Sequence, residues 1–375
     1  MGSGNGVRVD FPLRPRMSED LQGKSTLTPF IPAAWRAIGT LYNALVTAMV
    51  VSLVTRRGAD TARDYVFRHF RHQHLEKFLP GLGKLGLENQ PHAVACALYH
   101  YHSNALGGVK TEYFRESDTK AWVRYPPPRW MWRGTAIAAI PHEVSAAMLH
   151  GWHGHNGVTL GNPRLGFVCT GMTVDGLPGL EGYYLEHDRD LKEGERVRFA
   201  YGGETMPRFD PSAAPRLEAQ SWPQERLERT RRRYAMDYVR TMMAVLEDLL
   251  GPADARAELG RVARLVGLQF YEDCAREMAA GSEGTLDAFA AWLKAMLEGQ
   301  GEEVVLEGSG SARVLTLPRW KLVDGLGLRD VAGAFSAWNE LWIGAGLAHD
   351  RFLRIESTFT QADGGLAAQW RLTPG

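Results

Sequence analysis

Apolar and polar stretches follow one another in an order that the chain uses twice. Two helices are predicted near 33–54 and 60–77, and two more near 223–250 and 254–280. After each pair comes a shorter apolar helix closed by glycine, "HAVACALYHYHSNALGG" in one half and "LDAFAAWLKAMLEGQG" in the other. A strand pair follows, "VKTEYFRESDTKAWVRY" or "EEVVLEGSGSARVLTL". Each half then carries a PRW strand end, a small-residue helix, a glycine-rich exit and a strand. A turn, "VDGLPG" or "QADGG", leads into a second strand, which is hairpin chemistry between apolar alternations.

Pro128-Arg129-Trp130 matches Pro318-Arg319-Trp320, and 142–176 lie against 329–363 without a gap. In that stretch only Val144, Ala147, Gly157, Leu160, Arg164 and Thr173 are identical to their counterparts, so the order of patterns carries the match. The predicted organisation is an N-terminal extension (1–26), a first repeat (27–205), a proline-rich linker (206–221) and a second repeat (222–375). The linker holds most of "TMPRFDPSAAPRLEAQSWPQ", whose four prolines favour an extended chain. Helices covering an antiparallel sheet make the expected class α+β. The two copies are expected to pack as a pseudo-symmetric pair, much as two chains of a symmetric dimer do. One irregular α+β domain is the alternative.

Composition narrows the functional classes. The 43 basic and 43 acidic side chains cancel, so no global field draws the chain to nucleic acid or an anionic membrane. The most apolar run, "ALVTAMVVSLV", spans 11 residues where a membrane crossing needs about 20. It reads as a buried helix, and "MGSGNGVRVDFPLRPRM" lacks the apolar core of a signal peptide. Cys96, Cys169 and Cys274 form no CxxC pair and suggest reduced thiols in the cytoplasm. No Walker loop, GxGxxG after a strand, GxSxG, HExxH or zinc-ribbon spacing occurs.

The stretch "GFVCTGMTVDGLPGLEGYYLEHDRDLKEGERVRF", behind a helical layer and a small-residue helix, resembles two families. These are the 4-vinyl-reductase-type ligand-binding domains and the L-2-amino-thiazoline-4-carboxylic acid hydrolase-like proteins. "LEHDRDLKEGERVRF" looks like their closing acid, turn and strand. The resemblance covers about 100 residues per copy. It implies a small-molecule pocket between helices and sheet, used for hydrolysis in one family and for sensing in the other. Of the cysteines that many vinyl-reductase-type domains carry in this hairpin, only Cys169 is nearby, and no catalytic residue is transferred.

Histidine usage points to the first repeat, which with its flanks holds eleven of the twelve. "HGWHGHN" places His150, His153 and His155 within six positions, opposite Ala337, Glu340 and Trp342 of the second copy. Positions three apart share a helix face, so His150 and His153 are expected to converge, with His155 turning separately after Gly154. Three imidazoles can hold one divalent ion (zinc, iron or manganese) and leave a position for a nucleophilic water. Equally, they can act as metal-free acid–base groups or simply form a helix end. No cofactor follows from the sequence beyond that metal.

Tyr99, His102, Trp130, Trp152, Cys169 and Glu186 are expected to shape a ligand pocket. Of His100 and His102, about 200° apart on a helix, at most one should face inward. The expectation is a hydrolase or a hydratase/lyase acting on a small cyclic or aromatic compound. The alternative is a vinyl-reductase-type binding or sensor protein that does not turn its ligand over.

Overall fold

A computed structural model describes residues 31–127, 132–217, 220–280, 284–309, 311–362 and 365–375. The first half runs α1 (Ile31–Arg57), α2 (Ala59–Lys84), α3 (His92–Leu106), β1 (Glu112–Arg115) and β2 (Lys120–Tyr125). It continues with α4 (His142–Gly151), the single turn α5 (Asn156–Thr159), β3 (Leu165–Gly171), β4 (Leu180–Glu186) and β5 (Val197–Phe199). The second half runs α6 (Gln224–Leu250), α7 (Pro252–Glu277), α8 (Leu286–Gly299), β6 (Val305–Ser309) and β7 (Ala312–Leu317). It closes with α9 (Val331–His349), β8 (Arg354–Ala362) and β9 (Gly365–Thr373).

The class is α+β. The sheets order as β1-β2-β4-β3-β5 and β6-β7-β9-β8, so the first four strands of one follow the same path as the four of the other. Every pairing is antiparallel except that of β5 with β3. The predicted order of elements is therefore present in both halves, and among the described residues α5 and β5 have no counterpart in the second. Each long-helix pair turns on one glycine of positive φ, Gly58 (+87°) or Gly251 (+79°), a conformation that side chains disfavour. Of the PRW pair, Pro128, Arg129 and Trp130 lie outside the described residues. Trp320 is buried and its backbone N–H donates to Leu366 O at 2.7 Å.

The 11-residue apolar run is the centre of a longer helix. By length and composition α1 is apolar enough to cross a membrane. Here its apolar face, Ile38, Leu41, Tyr42, Leu45, Met49 and Leu53, is sealed in the protein interior. It packs on α2 and, across the halves, on α6, α7 and α8. The Tyr42 hydroxyl donates to Gln300 at 2.5 Å and accepts the Trp338 indole N–H at 2.9 Å. Arg57 pairs with Asp254 and Glu258 at 3.0 Å.

Two helix crossings depend on missing side chains. A Cβ on Gly267 would sit 2.0 Å from Leu341 O, and one on Gly344 2.1 Å from Arg264 O, so α7 and α9 meet backbone to backbone. In the first half, a Cβ on Gly151 would lie 2.5 Å from Phe67 O, which brings the end of α4 against α2.

Candidate functional site

The three histidines of "HGWHGHN" point three ways. Trp152 leaves the α-helical path (φ −110°, ψ −70°), and 153–155 form a 3-10 turn, which ends the face-sharing of a regular helix. His153 turns inward. Its ring stacks on His100 with centroids 4.2 Å apart, and its Nε2 lies 3.4 Å from the Tyr125 hydroxyl. His155 turns toward α2, its Nδ1–H donating to His150 O at 2.9 Å and its ring edge-on to Phe67. His150 is half-buried beside Phe199. Among the described residues no group of three or more His, Cys, Asp or Glu side chains is placed to hold a metal ion, so the predicted zinc, iron or manganese site is not formed by this trio.

Inward from His153 lies a cluster of aromatic rings and imidazoles. His74 and His100 come from α2 and α3, Trp152 and His153 from the turn after α4, Asn156 from α5, and Phe167 and Tyr184 from the sheet. Burial holds His74 down to about 2 and His100 to about 3. Arg71 donates to His74 Nδ1 at 2.8 Å, which leaves the proton of this neutral ring on Nε2. That Nε2, His100 Nε2, Trp152 Nε1 and Asn156 Oδ1 are buried without a hydrogen-bond partner. Asn156 Nδ2 donates to the Tyr184 hydroxyl at 2.9 Å. Imidazoles held neutral this firmly do not exchange protons near pH 7.

The remaining predicted pocket residues separate. Tyr99 packs on Phe78 and Trp152 within the cluster, whereas His102 lies outside it, next to Tyr101. His100 and His102 are both buried, against expectation, because α3 is covered by α2, α6 and the first sheet on several sides. Cys169 is fully buried and its Sγ contacts Gly171 O at 3.4 Å. Burial pushes its thiol up to about 12, which removes it as a nucleophile. Glu186 leaves the pocket to pair with Arg164 at the surface. Trp130 lies outside the described residues.

A different constellation opens to solvent at the start of α4. His142 Nδ1 lies 2.8 Å from Asp175 Oδ2, and the Tyr201 hydroxyl donates to the same oxygen at 2.8 Å. Asp175 ends the 3-10 turn Thr173–Asp175, which Gly176 closes at φ +81°. β5, laid parallel to β3, carries Phe199 against both His142 (5.2 Å) and His150 (6.0 Å). Burial, then the Asp175 carboxylate, holds the Tyr201 phenol well above its usual range. With the carboxylate on Nδ1–H, His142 is set in the tautomer whose Nε2 carries the lone pair, and 43% of its side chain is exposed.

Sequence reasoning missed His142 and Tyr201. The only available signal was a histidine opening the small-residue helix. No protein-family model, curated protein or solved structure matches the chain.

Proposed function

We propose that the chain is a small-molecule hydrolase or lyase whose proton-transfer group is His142, oriented by Asp175. The observation that carries this reading is the 2.8 Å contact between His142 Nδ1 and Asp175 Oδ2, with a solvent-facing imidazole edge beyond it. In hydrolysis, Nε2 takes a proton from water as the water oxygen bonds to the electrophilic carbon. The imidazolium then returns that proton to the leaving heteroatom, and Asp175 stays ionised throughout. In the lyase case the same nitrogen takes a proton from carbon. His150 and Phe199 form the adjoining wall, where a cyclic or aromatic compound fits. Three buried, unpaired cysteines support a place in the cytoplasm.

The test is a turnover screen on small cyclic amides, lactones and aromatic esters, with His142→Ala and Asp175→Asn beside the parent. General-base catalysis predicts a drop of about 10²–10⁴ in kcat for His142→Ala with the melting temperature unchanged. Full turnover in that variant overturns the assignment. A binding-only protein of vinyl-reductase type is the second reading, favoured by the unpartnered atoms of His74, His100, Trp152 and Asn156. It predicts a ligand that stabilises the fold yet is recovered unchanged.

A further inference from the structure

Strands β3 and β8 hold the same place in their two sheets, yet only β3 is covered on its outer side. There β5 pairs with it in parallel through Phe167–Val197, Val168–Arg198 and Cys169–Phe199. Beyond β8 no strand lies among the described residues, so the outward backbone N–H and C=O groups of this strand form an open ladder. Burial follows the same contrast. β3 is buried along its whole length, whereas Thr358, Phe359, Thr360 and Gln361 of β8 are exposed.

Open edges in folded proteins are ordinarily blunted by shortness, lysine, proline or a bulge. The other edge strands here are short, with four residues in β1, three in β5 and five in β6. β8 has nine, with no lysine or proline among them. Its register with β9 runs from Arg354–Thr373 to Ala362–Gly365 without a shift, while the covered β3 is bulged between Cys169 and Gly171. The two faces of β8 are fixed by their contacts. Ser357 accepts from Asn339 Nδ2 at 2.9 Å and the Phe359 ring lies 5.3 Å from Phe335, so the odd positions face α9. Arg354, Glu356, Thr358 and Thr360 alternate with them and face solvent.

We propose that β8 is the interface of a homodimer, in which the β8 strands of two copies pair antiparallel about a two-fold axis through Thr358. A two-fold axis sets like edges antiparallel and closes the assembly at two copies, which leaves no open β8 edge. The strand is complementary to itself in this register. Thr358 faces Thr358 of the second copy, a favourable hydroxyl pair, and Glu356 faces Thr360. The charges of the solvent face, Arg354 and Glu356, meet no like charge opposite or on the diagonal. On the other face Phe359, 39% exposed, comes beside Ser357 of the second copy and loses water. The first half shows that this edge of the fold accepts a strand, since β5 sits on it there. The surface belongs to the second half, so its failure leaves the His142 assignment untouched.

Sedimentation equilibrium on the whole chain tests it, and dimers are expected at micromolar concentration. Thr358→Lys and Thr358→Glu each put like charges face to face on the axis and should weaken the dimer about fivefold or more. Because Thr358 is exposed, the circular dichroism spectrum of both variants should match the parent. An equimolar mixture of the two should recover dimers, since lysine then faces glutamate. Val305→Lys, on the opposite edge of the same sheet, should leave the dimer intact. A monomeric parent, dimers that survive both Thr358 variants, a mixture that stays monomeric, or dimers lost in Val305→Lys each overturns the proposal.

Discussion

At matching positions the two halves fill their interiors differently. The end of α4 and the turn after it carry Gly151, His153 and His155, where α9 carries Trp338, Glu340 and Trp342. In the second half the buried polar atoms largely find each other. Asn339 accepts from Trp370 at 2.6 Å and donates to Ser357 at 2.9 Å, and Trp338 donates to Tyr42. Glu247 accepts the backbone N–H groups of Arg329 and Asp330, both at 2.8 Å. The indoles of Trp292, Trp320 and Trp342, Arg232 Nε and Gln300 Nε2 are exceptions there. In the first half such atoms are more frequent: those of His74, His100, Trp152 and Asn156 gather between α2, α3 and the sheet, and Trp35, Thr47, His69, Trp132 and Thr173 carry others elsewhere. Unmade buried hydrogen bonds cost stability, so the interior of the first half bears the larger polar cost.

Acid should separate the halves most strongly. Burial keeps His69 near about 3, His74 near about 2 and His100 near about 3 in the folded state, while the unfolded chain takes up these protons below about 6.5. Folded pKa values lie below unfolded ones, so stability is full above pH 6.5 and falls as the pH drops. Each histidine removes up to about 1.4 kcal/mol per pH unit until its folded pKa is reached. Calorimetry at pH 7.5 and 5 should show a large fall in melting temperature. Hydrogen exchange should rise in α2 and α3 before α8 and α9, and simultaneous loss would break the comparison.

Filling the glycine crossings comes next in size. Gly267→Ala pushes a methyl into the Leu341 carbonyl and should cost near the top of the about 1–3 kcal/mol typical of overpacking. Gly151→Ala meets its nearest backbone atom at 2.5 Å rather than 2.0 Å and should cost less, as urea denaturation would show. The smallest contrast is between two asparagines. Asn339→Ala strands the Trp370 N–H and should cost about 1–3 kcal/mol. Asn156→Ala removes the donor to the Tyr184 hydroxyl and a polar neighbour of His74 and Cys96, but its oxygen lacks a well-formed hydrogen bond, so its melting temperature should fall less.

The long helices, the hairpins and the repeated order were legible because they rest on local chemistry: apolar stretches, glycine closures and turn residues. The α2 and α7 joints are one-residue glycine turns that fall where the patterns break. The site was legible only in that histidines concentrate in the first half. His150 and His153 were expected on one face because regular helix geometry was carried through Trp152, where the chain tightens into a 3-10 turn. His142 and Asp175 lie 33 positions apart. They meet because the 3-10 turn after β3 packs against α4, and β5 adds Phe199 beside His142, a placement that "VRF" alone does not announce. Burial of both His100 and His102 likewise depends on how many elements cover α3.

The embrace of α1 by the second half has a consequence for synthesis. Met49, Leu53 and their neighbours on α1 are made early, whereas α6 and α7, which cover them, follow some 200 residues later. At about 5–20 residues per second, that apolar helix leaves the ribosome roughly ten seconds or more before its cover exists. It is long and apolar enough to be taken for a membrane segment in that interval. A nascent chain of this protein should therefore be a client of whatever factor shields emerging hydrophobic helices, and ribosome profiling of such a factor should peak between α1 and α6.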